Sequence, residues 1–589
     1  MVKNLKENLN KYENIILSVT SISILFLCLF FTYDCMYNLN DDVMIRNILS
    51  GSYSGSPSPM NKQILYPFSL LLSSLYKILP NVPWFDLLLF VGQYMCLIII
   101  LNGLLKHFDG YKEKLIIIAA YICFVITFFA EHIILITYTV TSGFFAITAI
   151  FVFICYDDLP IIKKSIICIL LVLLAFCIRT KMMLMLMPFV AIAGVYCWSN
   201  ENKIFTKSNF IRYFGIFFAI IICFMSAALI HNKAYSKQGW DEYNKFFDHR
   251  TTIYDYTGIP KYEENKEFYI QNNISYEQYL LLVSYDFSLD EDINSDMLEN
   301  VAEYAQKQES LSEKFIAAKK EYKQQILGNL ESKHKIDTLY HTLIIMGYVI
   351  LLLSISKKNI FKIIIFAAVI FASRSFIWLY ILGEGRTPDR ITHPLYWAEF
   401  ILLISIFIIE NKKNTLNFRK IRALIAAIII TVSSVYYIGA QISNINEVYT
   451  ATEDRVKMTN ALQKYCDKKS DNFYFLTTSS KGILLAEKVF NKNNIPPNMD
   501  LAGGWFVKSP LNRQNLKNYG IDNVFDAIIK NNNVYIIQGK NHIIYTETYP
   551  FESIVKHYKS KGYDVEIEEV DHITEDIYVY KVNEKSSDI

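Results

Sequence analysis

Long apolar runs, separated by short polar segments, dominate the first three quarters of the chain. Runs such as IILSVTSISILFLCLFF and LIIIAAYICFVITFFA come close to the ~20 residues that an α-helix needs to cross a bilayer. We therefore predict about eleven membrane-spanning helices, at residues 15–37, 84–105, 115–131, 139–156, 165–179, 182–198, 211–231, 338–355, 361–382, 393–410 and 423–440. This pattern predicts a polytopic α-helical membrane protein.

A further apolar segment, residues 64–80, is open to two interpretations. Its sequence, ILYPFSLLLSSLYKILP, is apolar enough to span, but it is short and is bracketed by Pro67 and Pro80. We predict that it forms a helix lying on the outer membrane surface. Counting it as a span would invert every later loop and would move two Lys-rich loops to the outside.

The distribution of basic residues predicts the orientation of these helices. Lys and Arg are more numerous in the loops that share a side with the N-terminus, such as KHFDGYKEK and NKKNTLNFRKIR, than in the alternate loops. By the positive-inside rule the N-terminus is then cytoplasmic, and an odd number of spans places the C-terminus outside. The first apolar run is too long for a signal peptide, and no small-residue cleavage site follows it. The expected location is the cell membrane.

Two long polar segments remain, and both are expected outside. Residues 232–337 form a loop rich in tyrosine and acidic residues. Within residues 441–589, the stretches NFYFLTT, NVYIIQG, DVEIEEV and DIYVYKV are typical of strands, and FESIVKHYKSKG is typical of a helix that ends at a glycine. We therefore predict a transmembrane domain over residues 1–440, including the surface helix and the large loop, and a small extracytoplasmic α/β domain over residues 441–589.

Composition narrows the class of protein further. Of the 589 residues, 52% are hydrophobic and only 19% are charged, whereas a soluble protein carries about 25% charged residues. This balance disfavours a soluble enzyme, a disordered chain and a secreted disulfide scaffold, and a net charge of +2 argues against a nucleic-acid partner. The ten cysteines lie mostly inside apolar runs, without CxxC or Cys/His spacing, and are interpreted as small core residues.

The segment after the first predicted helix, YNLNDDVMIRNILSG, carries two adjacent acids, Asp41 and Asp42. An acid beside a bilayer costs free energy unless it is solvated, paired or used in chemistry. Arg46 follows Asp42 by four residues, so the two side chains can pair on a helix. Taken alone, the doublet favours an interpretation as solvated loop acids with such a surface ion pair.

The order of features around the doublet resembles the start of the GT-C superfamily, whose members transfer sugars from polyprenyl-phosphate donors. The superfamily includes protein O-mannosyltransferases and the aminoarabinose transferase of lipid A. Members commonly carry Asp-Glu after the first helix, then a short helix ending in glycine, then a proline-containing surface helix. Here Asp41 matches the Asp, Asp42 replaces the Glu, ILSG ends the short helix, and YPFSLLL stands in for the proline-containing stretch.

Three later segments continue the resemblance in the expected order, up to about residue 410. AEHIILITYTVTSGFFAIT fits the family's turn between the third and fourth helices, with Thr139 or Thr141 in place of an acid. LLAFCIRTKMMLMLMP puts Arg179 or Lys181 at the position of a family lysine. GEGRTPDRITHPLYWAEF puts Arg390 at the position of a family arginine.

The resemblance implies an inverting glycosyltransferase that uses a polyprenyl-phosphate sugar and an extracytoplasmic acceptor, which is a cell-surface glycan, teichoic acid, lipid or protein. Asp41 is then the expected general base, and Asp42 assists it, orients the acceptor or helps to hold an optional divalent cation, Mg²⁺ or Mn²⁺. The anionic leaving group needs cations. The candidates are the basic residues of the outer segments, Arg46, Lys62, Arg179, Lys181, Arg386 and Arg390.

The outer loop supplies candidates for acceptor binding, because aromatic rings pack on sugar faces and carboxylates accept bonds from hydroxyls. The candidates in FFDHRTTIYDYTG are Asp248, His249, Arg250 and Tyr254. A plainer interpretation is a loop packed on itself, and the basic residues can equally anchor lipid headgroups or pair with acids. Glu399, for example, can pair with Arg374 or Arg390.

Two other functions stay open at this point. A polymerase or ligase of O-antigen or capsule type, acting on diphosphate-linked glycans, also needs outer arginines and a large outer loop, but not an acidic doublet after the first helix. A transporter or flippase of lipid-linked glycans often shows repeated halves and charges at mid-membrane. Neither the sugar nor the acceptor follows from the sequence.

Overall fold

The computed structural model describes residues 2–237, 239–327, 335–477, 485–491, 496–539 and 550–585. Helices make up most of these residues. In chain order they are α1 (Val2–Thr32), α2 (Asn40–Ser50), α3 (Tyr66–Ile78), α4 (Trp84–Leu105), α5 (Tyr111–Phe128), α6 (Ala130–Ile134), α7 (Tyr138–Cys155), α8 (Ile161–Ile178), α9 (Thr180–Ser199), α10 (Lys207–Tyr235), α11 (Trp240–Thr252), α12 (Lys266–Gln271), α13 (Tyr276–Ser284), α14 (Ser295–Gln308), α15 (Leu311–Leu327), α16 (Lys335–Leu352), α17 (Ile360–Gly383), α18 (Asp389–Lys412), α19 (Leu416–Lys468), α20 (Pro510–Asn518), α21 (Val524–Lys530) and α22 (Pro550–Ser560).

Nine of the described helices are long and apolar enough to cross a membrane, namely α1, α4, α7, α8, α9, α10, α17, α18 and α19. The remaining two predicted spans are also helical and correspond to α5, which begins with charged residues, and α16, whose apolar part Thr338–Leu352 is short. All eleven predicted segments are therefore helices in the part of the chain that the structure describes. The architecture is consistent with a polytopic helical membrane protein.

The centre of the bundle is formed by α7 and α18. Every residue of α7 is buried, and α18 is nearly as enclosed. The two helices approach closely at Gly143, where a Cβ atom would lie 2.7 Å from the Cβ of Pro394. The outer helices instead expose large apolar side chains, such as Phe31 at 95% and Phe361 at 81%. Water would penalise such a surface, whereas lipid would not.

Two short helices follow α1 on one face of the bundle. Helix α2 ends at Gly51, whose φ of +88° and close approach to Pro57 admit only glycine. Helix α3 has 13 residues and is about 20 Å long at 1.5 Å per residue. It is therefore shorter than the ~30 Å hydrocarbon core of a bilayer. The helix predicted for residues 64–80 is confirmed, and its length disfavours a span.

The large loop is folded mainly into helices. Helix α11 packs against α14, and α15 packs against α17 of the bundle. A π-helical turn, Ile253–Thr257, continues α11 towards the bundle. The loop is therefore a layer over one end of the helices.

The C-terminal domain contains a five-stranded sheet whose strands are β3 (Phe473–Leu476), β4 (Met499–Leu501), β5 (Val534–Gly539), β6 (Val565–Thr574) and β7 (Ile577–Glu584), after the two-residue strands β1 (Met36–Tyr37) and β2 (Leu135–Ile136). The spatial order is β4-β3-β5-β7-β6; the first three strands are parallel, and β7 is antiparallel to β5 and β6. The four predicted strands are confirmed, as is the helix, which is α22. Strand β4 was not predicted.

The predicted boundary at residues 440 and 441 falls inside a single helix. Helix α19 has 53 residues and is about 80 Å long, so it leaves the bundle and continues without a break into the C-terminal domain. A change from apolar to polar composition marks the point where a helix emerges from apolar surroundings, not the point where it ends.

The C-terminal domain is anchored to the segment after α1. The N–H of Tyr37 donates to the carbonyl of Glu487 at 3.0 Å, and the N–H of Val489 donates to the carbonyl of Cys35 at 2.9 Å. The side chain of Glu487 forms a buried ion pair with Arg46 of α2. Strands β1 and β2 pair in parallel and join this segment to the start of α7.

Candidate active site

The acid pair lies in the first turn of α2, where the helix dipole favours negative charge. Asp42 is fully buried, and its Oδ1 accepts a hydrogen bond from the N–H of Tyr138 at 2.8 Å. Burial raises the pKa of Asp42 well above its ordinary value, although this bond and the charges of Arg390 and Arg179 lower it. Its Oδ2 is buried without a hydrogen-bond partner among the described residues.

Asp41 has a different environment from its neighbour. It is only partly buried, and its Oδ1 accepts a hydrogen bond from the indole Nε1 of Trp505 at 2.9 Å. Trp505 belongs to the C-terminal domain, so that domain contributes directly to the surroundings of the acid pair. Two adjacent carboxyls in unlike environments are suited to different roles.

A cavity of about 510 Å³ opens beside the acid pair, between α9 and α17. Its charged and polar lining residues are Thr139, Arg179, Lys181, Asp255, Tyr256, Glu384, Arg386 and Arg390. Its apolar lining residues include Met182, Leu184, Met185, Pro188, Phe376, Ile377, Ile381 and Ile391. The cations come from residues at or just before the starts of α9 and α18, so they gather at one end, and the apolar wall extends along α9 and α17.

Three of the four cations have a protein partner. Arg179 donates from Nη1 to Oε1 of Gln63 at 2.7 Å, and Lys181 donates from Nζ to the hydroxyl of Tyr256 at 2.9 Å. Arg386 forms an ion pair with Asp255, with Nη1 and Oδ2 2.7 Å apart.

Arg390, by contrast, makes no side-chain hydrogen bond or ion pair within the described part of the chain. Glu399 lies deeper on the same helix and pairs instead with Arg374, with Oε2 and Nε 3.1 Å apart. Arg390 therefore stays available to a ligand in the cavity.

The first residues of α7 contact the acid pair and also line the cavity. The N–H of Tyr138 holds Asp42, and the next residue, Thr139, lines the cavity. The hydroxyl of Tyr138 donates to Gln63 at 3.1 Å, and the guanidinium of Arg179 lies 5.2 Å from the centre of the Tyr138 ring. One connected set of contacts thus fixes the carboxyls relative to the cations.

Two of the six predicted phosphate-binding residues lie outside this cavity. Arg46 pairs with Glu487 in a buried contact, and the ion pair with Asp42 that helical spacing allows does not form between these two described residues. Lys62 lies between aromatic rings, with Nζ 5.2 Å from the ring centres of both Tyr235 and Phe247. Both residues are close to the two acids in the sequence, but sequence position does not specify the direction of a side chain.

The four predicted acceptor residues are spread along α11 and the turn after it. Asp248 is exposed, and His249 lies 3.9 Å from Glu299. The hydroxyl of Tyr254 donates to the carbonyl of Leu282 at 2.7 Å, so Tyr254 is part of the packing of the loop. Arg250 lies near the rings of Tyr254 and Tyr285, and its environment is described below.

Several residues of the site had no signal in the sequence. Trp505 is 464 residues from Asp41, and nothing in AGGWFVKSP indicates that its indole reaches the acid pair. Asp255 and Tyr256 line the cavity although neighbouring residues were the predicted binders. Gln63, adjacent to the predicted Lys62, is the residue that contacts Arg179.

The acid pair offers few protein ligands to a Mg²⁺ or Mn²⁺ ion. Such ions take several oxygen ligands, but one oxygen of Asp41 and one of Asp42 already accept N–H bonds. Within the described residues no group of three or more His, Cys, Asp or Glu side chains converges as metal ligands would. The charges of Arg390 and Arg179 act on the carboxyl of Asp42.

Comparisons of the chain with protein-family models, with curated proteins and with solved structures give no match. The geometry of the site and the resemblance of its short motifs therefore carry the functional argument.

Proposed function

We propose that the chain is a membrane glycosyltransferase of GT-C type, which moves a sugar from a polyprenyl phosphate to the hydroxyl of an acceptor outside the cytoplasm. The observation that carries this proposal is the cavity beside Asp41 and Asp42, which has a cationic end and an apolar wall. A polyprenyl-phosphate sugar has the same division, with an anionic head and a long apolar tail. No soluble sugar nucleotide would need the apolar wall.

The cationic end of the cavity suits the donor phosphate. Arg390 has no protein partner in the described chain, and a guanidinium can bind two phosphate oxygens at once. Arg179, Lys181 and Arg386 surround it and are held by Gln63, Tyr256 and Asp255. Preorganised cations of this kind stabilise the charge that develops on the leaving phosphate.

The apolar wall suits the isoprenoid tail. It lies along α9 and α17, two of the helices that are apolar enough to cross a membrane. Phe376 is 74% exposed and Leu184 is 52% exposed, so the wall is open towards the surroundings of the bundle. A tail can therefore extend from the cavity into the bilayer.

Asp41 is the proposed general base. It accepts the proton of the acceptor hydroxyl as the acceptor oxygen bonds to the anomeric carbon of the sugar. The bond from that carbon to the phosphate oxygen breaks, and the polyprenyl phosphate leaves with the electron pair. A single displacement of this kind inverts the anomeric configuration. Buried Asp42, bonded to the N–H of Tyr138, positions α2 against α7.

The proposed orientation places the acid pair and the C-terminal domain outside the cytoplasm. The contact between Asp41 and Trp505 requires residues 41 and 505 to lie on the same side of the membrane. The predicted topology meets this requirement, because an even number of its spans lies between the two residues. Adding α3 as a span would make that number odd and would separate them.

The test measures transfer of a radiolabelled sugar from polyprenyl-phosphate donors to other molecules in membranes that contain the chain. We expect Asp41→Asn to lower the rate by about 10²–10⁴, the usual contribution of a general base. The matched control is Asp109→Asn, because Asp109 is an exposed acid of the loop between α4 and α5. Arg390→Gln is expected to raise the donor KM about tenfold, and Arg212→Gln, at the opposite end of the bundle, is its control.

Two results would contradict the proposal. Transfer that survives replacement of both Asp41 and Asp42 would favour a polymerase or ligase that needs no acidic doublet. Uptake or flipping of a lipid-linked glycan by the purified protein, without any sugar transfer, would favour a transporter.

A further inference from the structure

Arg250 is half-buried in the loop layer and has no hydrogen-bond or ion-pair partner among the described residues. Its guanidinium lies 5.7 Å from the ring centre of Tyr254 and 5.1 Å from that of Tyr285. Its Nε is buried without an acceptor, and the side chain makes no hydrogen bond or ion pair in the residues that the structure describes. Burial lowers the pKa of Arg250, although acidic neighbours, Asp255 first among them, raise it.

Lys62 is a second cation of this kind. Its backbone adopts a left-handed conformation with φ of 63°, and its N–H donates to the hydroxyl of Tyr235 at 2.8 Å. The ammonium lies over the rings of Tyr235 and Phe247 and, over the described chain, pairs with no carboxylate. Burial lowers the pKa of Lys62, although the charge of Asp248 raises it.

One face of α11 joins these two cations to the acid pair. Tyr243, Phe247 and Arg250 are four and three residues apart and so lie on the same side of the helix. Phe247 contacts Lys62, and the hydroxyl of Tyr243 donates to the carbonyl of Trp505. The indole of Trp505 holds Asp41, and the charge of Asp41 acts on Arg250.

Two groups of cations therefore lie near the segment that carries the acid pair, and only one of them lines the cavity. Arg179 and Arg390 line the cavity and act on Asp42. Arg250 and Lys62 are absent from the lining of that cavity, and Arg250 acts on Asp41. An ion that is removed from water without a partner costs free energy, which an anionic ligand would offset. The donor supplies one anion, at the cavity, so the second group needs another.

We propose that the acceptor carries an anionic group, a phosphate or a carboxylate, close to the hydroxyl that is glycosylated, and that Arg250 and Lys62 bind this group beside Asp41. The inference rests on the proposed function and names the chemical class of its second substrate. The cations of the cavity hold the donor phosphate, and those of α11 and its neighbour hold the acceptor anion.

The test compares three soluble acceptor probes, methyl glucoside, methyl glucoside 6-phosphate and methyl glucuronide. Transfer to each is measured with wild-type membranes and with Arg250→Gln, Arg250→Lys and Lys62→Gln. The control is Arg513→Gln, because Arg513 is 60% exposed and pairs with Glu291 on the surface of the C-terminal domain. Binding of the same probes and of polyprenyl phosphate to the purified full chain is measured by calorimetry, without a sugar donor.

We expect the kcat/KM for one of the charged probes to exceed that for the neutral probe by about tenfold or more. Arg250→Gln is expected to bring this ratio close to one, Arg250→Lys to retain part of it, and Arg513→Gln to leave it unchanged. The phosphate and glucuronide probes distinguish the two anions. The calorimetric preference for a charged probe over the neutral one is expected to fall in parallel.

Three results would overturn the inference. In the first, the neutral probe is used and bound as well as the charged ones. In the second, Arg250→Gln lowers transfer to all probes by the same factor, which a purely structural role predicts. In the third, Arg250→Gln weakens binding of polyprenyl phosphate more than binding of the charged probes, which would place Arg250 in the donor site. If no donor supports transfer, the proposed function fails, and the calorimetric arm still decides whether Arg250 binds a soluble anion.

Discussion

Replacing Glu487 by glutamine is expected to loosen the C-terminal domain from the helix that carries the acid pair. Glu487 and Arg46 form an ion pair whose side chains are 0% and 4% exposed. Glutamine keeps the shape of Glu487 but removes its charge, so the guanidinium of Arg46 stays buried beside a neutral amide. The same segment also bonds through its backbone to Tyr37, and those bonds are expected to persist.

The expected loss of stability in Glu487→Gln follows from the burial of its ion pair with Arg46. Removing one partner of a buried ion pair costs up to about 3–5 kcal/mol, because the other charge loses its close counter-ion. An unfolding entropy of about 2.1 cal/mol/K per residue gives a shift of about 1 °C for each kcal/mol in a chain of 589 residues, so the midpoint is expected to fall by roughly 2–4 °C. The adjacent residue supplies the control, since Lys488 pairs with Asp34 at the surface, and Lys488→Gln is expected to cost less than about 1 kcal/mol.

The assay is thermal unfolding of the purified protein in detergent, followed by tryptophan fluorescence, together with the donor KM of each variant. The double variant Arg46→Met with Glu487→Leu is expected to recover most of the lost stability, because an apolar pair of similar volume replaces the ions. A loss of stability below 1 kcal/mol for Glu487→Gln would show that this ion pair does not hold the C-terminal domain on α2. An Arg46→Met variant that keeps its stability but raises the donor KM would also contradict this role, because it would indicate that Arg46 binds the donor phosphate.

Three further predictions follow from other contacts. Burial raises the pKa of Asp42 above that of the unfolded chain, so stability is expected to fall as pH rises from about pH 4 through the pKa of the folded state. Asp42→Asn is expected to flatten this dependence of the unfolding midpoint. A slope unchanged in Asp42→Asn would contradict this. Gly143→Leu is expected to cost about 1–3 kcal/mol or more, because its Cβ would meet Pro394 at 2.7 Å, and an unaltered unfolding midpoint would argue against the packing of α7 on α18. Chelation of divalent cations with EDTA is expected to leave sugar transfer within twofold of its untreated rate, and a loss that Mg²⁺ restores would show that Asp41 and Asp42 take a metal.

The elements of the fold follow from local patterns that the sequence displays. Each predicted apolar segment is a helix, since a run of about 20 apolar residues buries its backbone polar groups only by helix formation. Of the four predicted strands, β7 alternates between more and less buried positions over its first half, whereas β3 is buried at every position. The continuity of α19 was not predictable from composition, because the 53-residue helix changes from apolar to polar along its length without a breaking residue.

The site was less predictable, because it depends on contacts between distant parts of the chain. Helical spacing made Asp42 the natural partner of Arg46, yet Glu487, 441 residues away, takes that place. The outer arginines and lysines were identified by their sequence positions, but which of them share a cavity depends on side-chain directions at the ends of α9 and α18. Trp505 reaches Asp41 only because the C-terminal domain docks on the segment after α1.

The placement of the donor lipid can be measured directly by photo-crosslinking. A polyprenyl phosphate with a photoreactive group near the start of its tail is bound to the purified protein, irradiated, and mapped by mass spectrometry. We expect labelled peptides from α9 and α17, around residues 182–188 and 376–381, with labelling reduced by Arg390→Gln and unaffected by Arg212→Gln. Labelling confined to the wholly apolar cavity of about 280 Å³ among α7, α8, α9 and α10, and insensitive to Arg390→Gln, would contradict this placement.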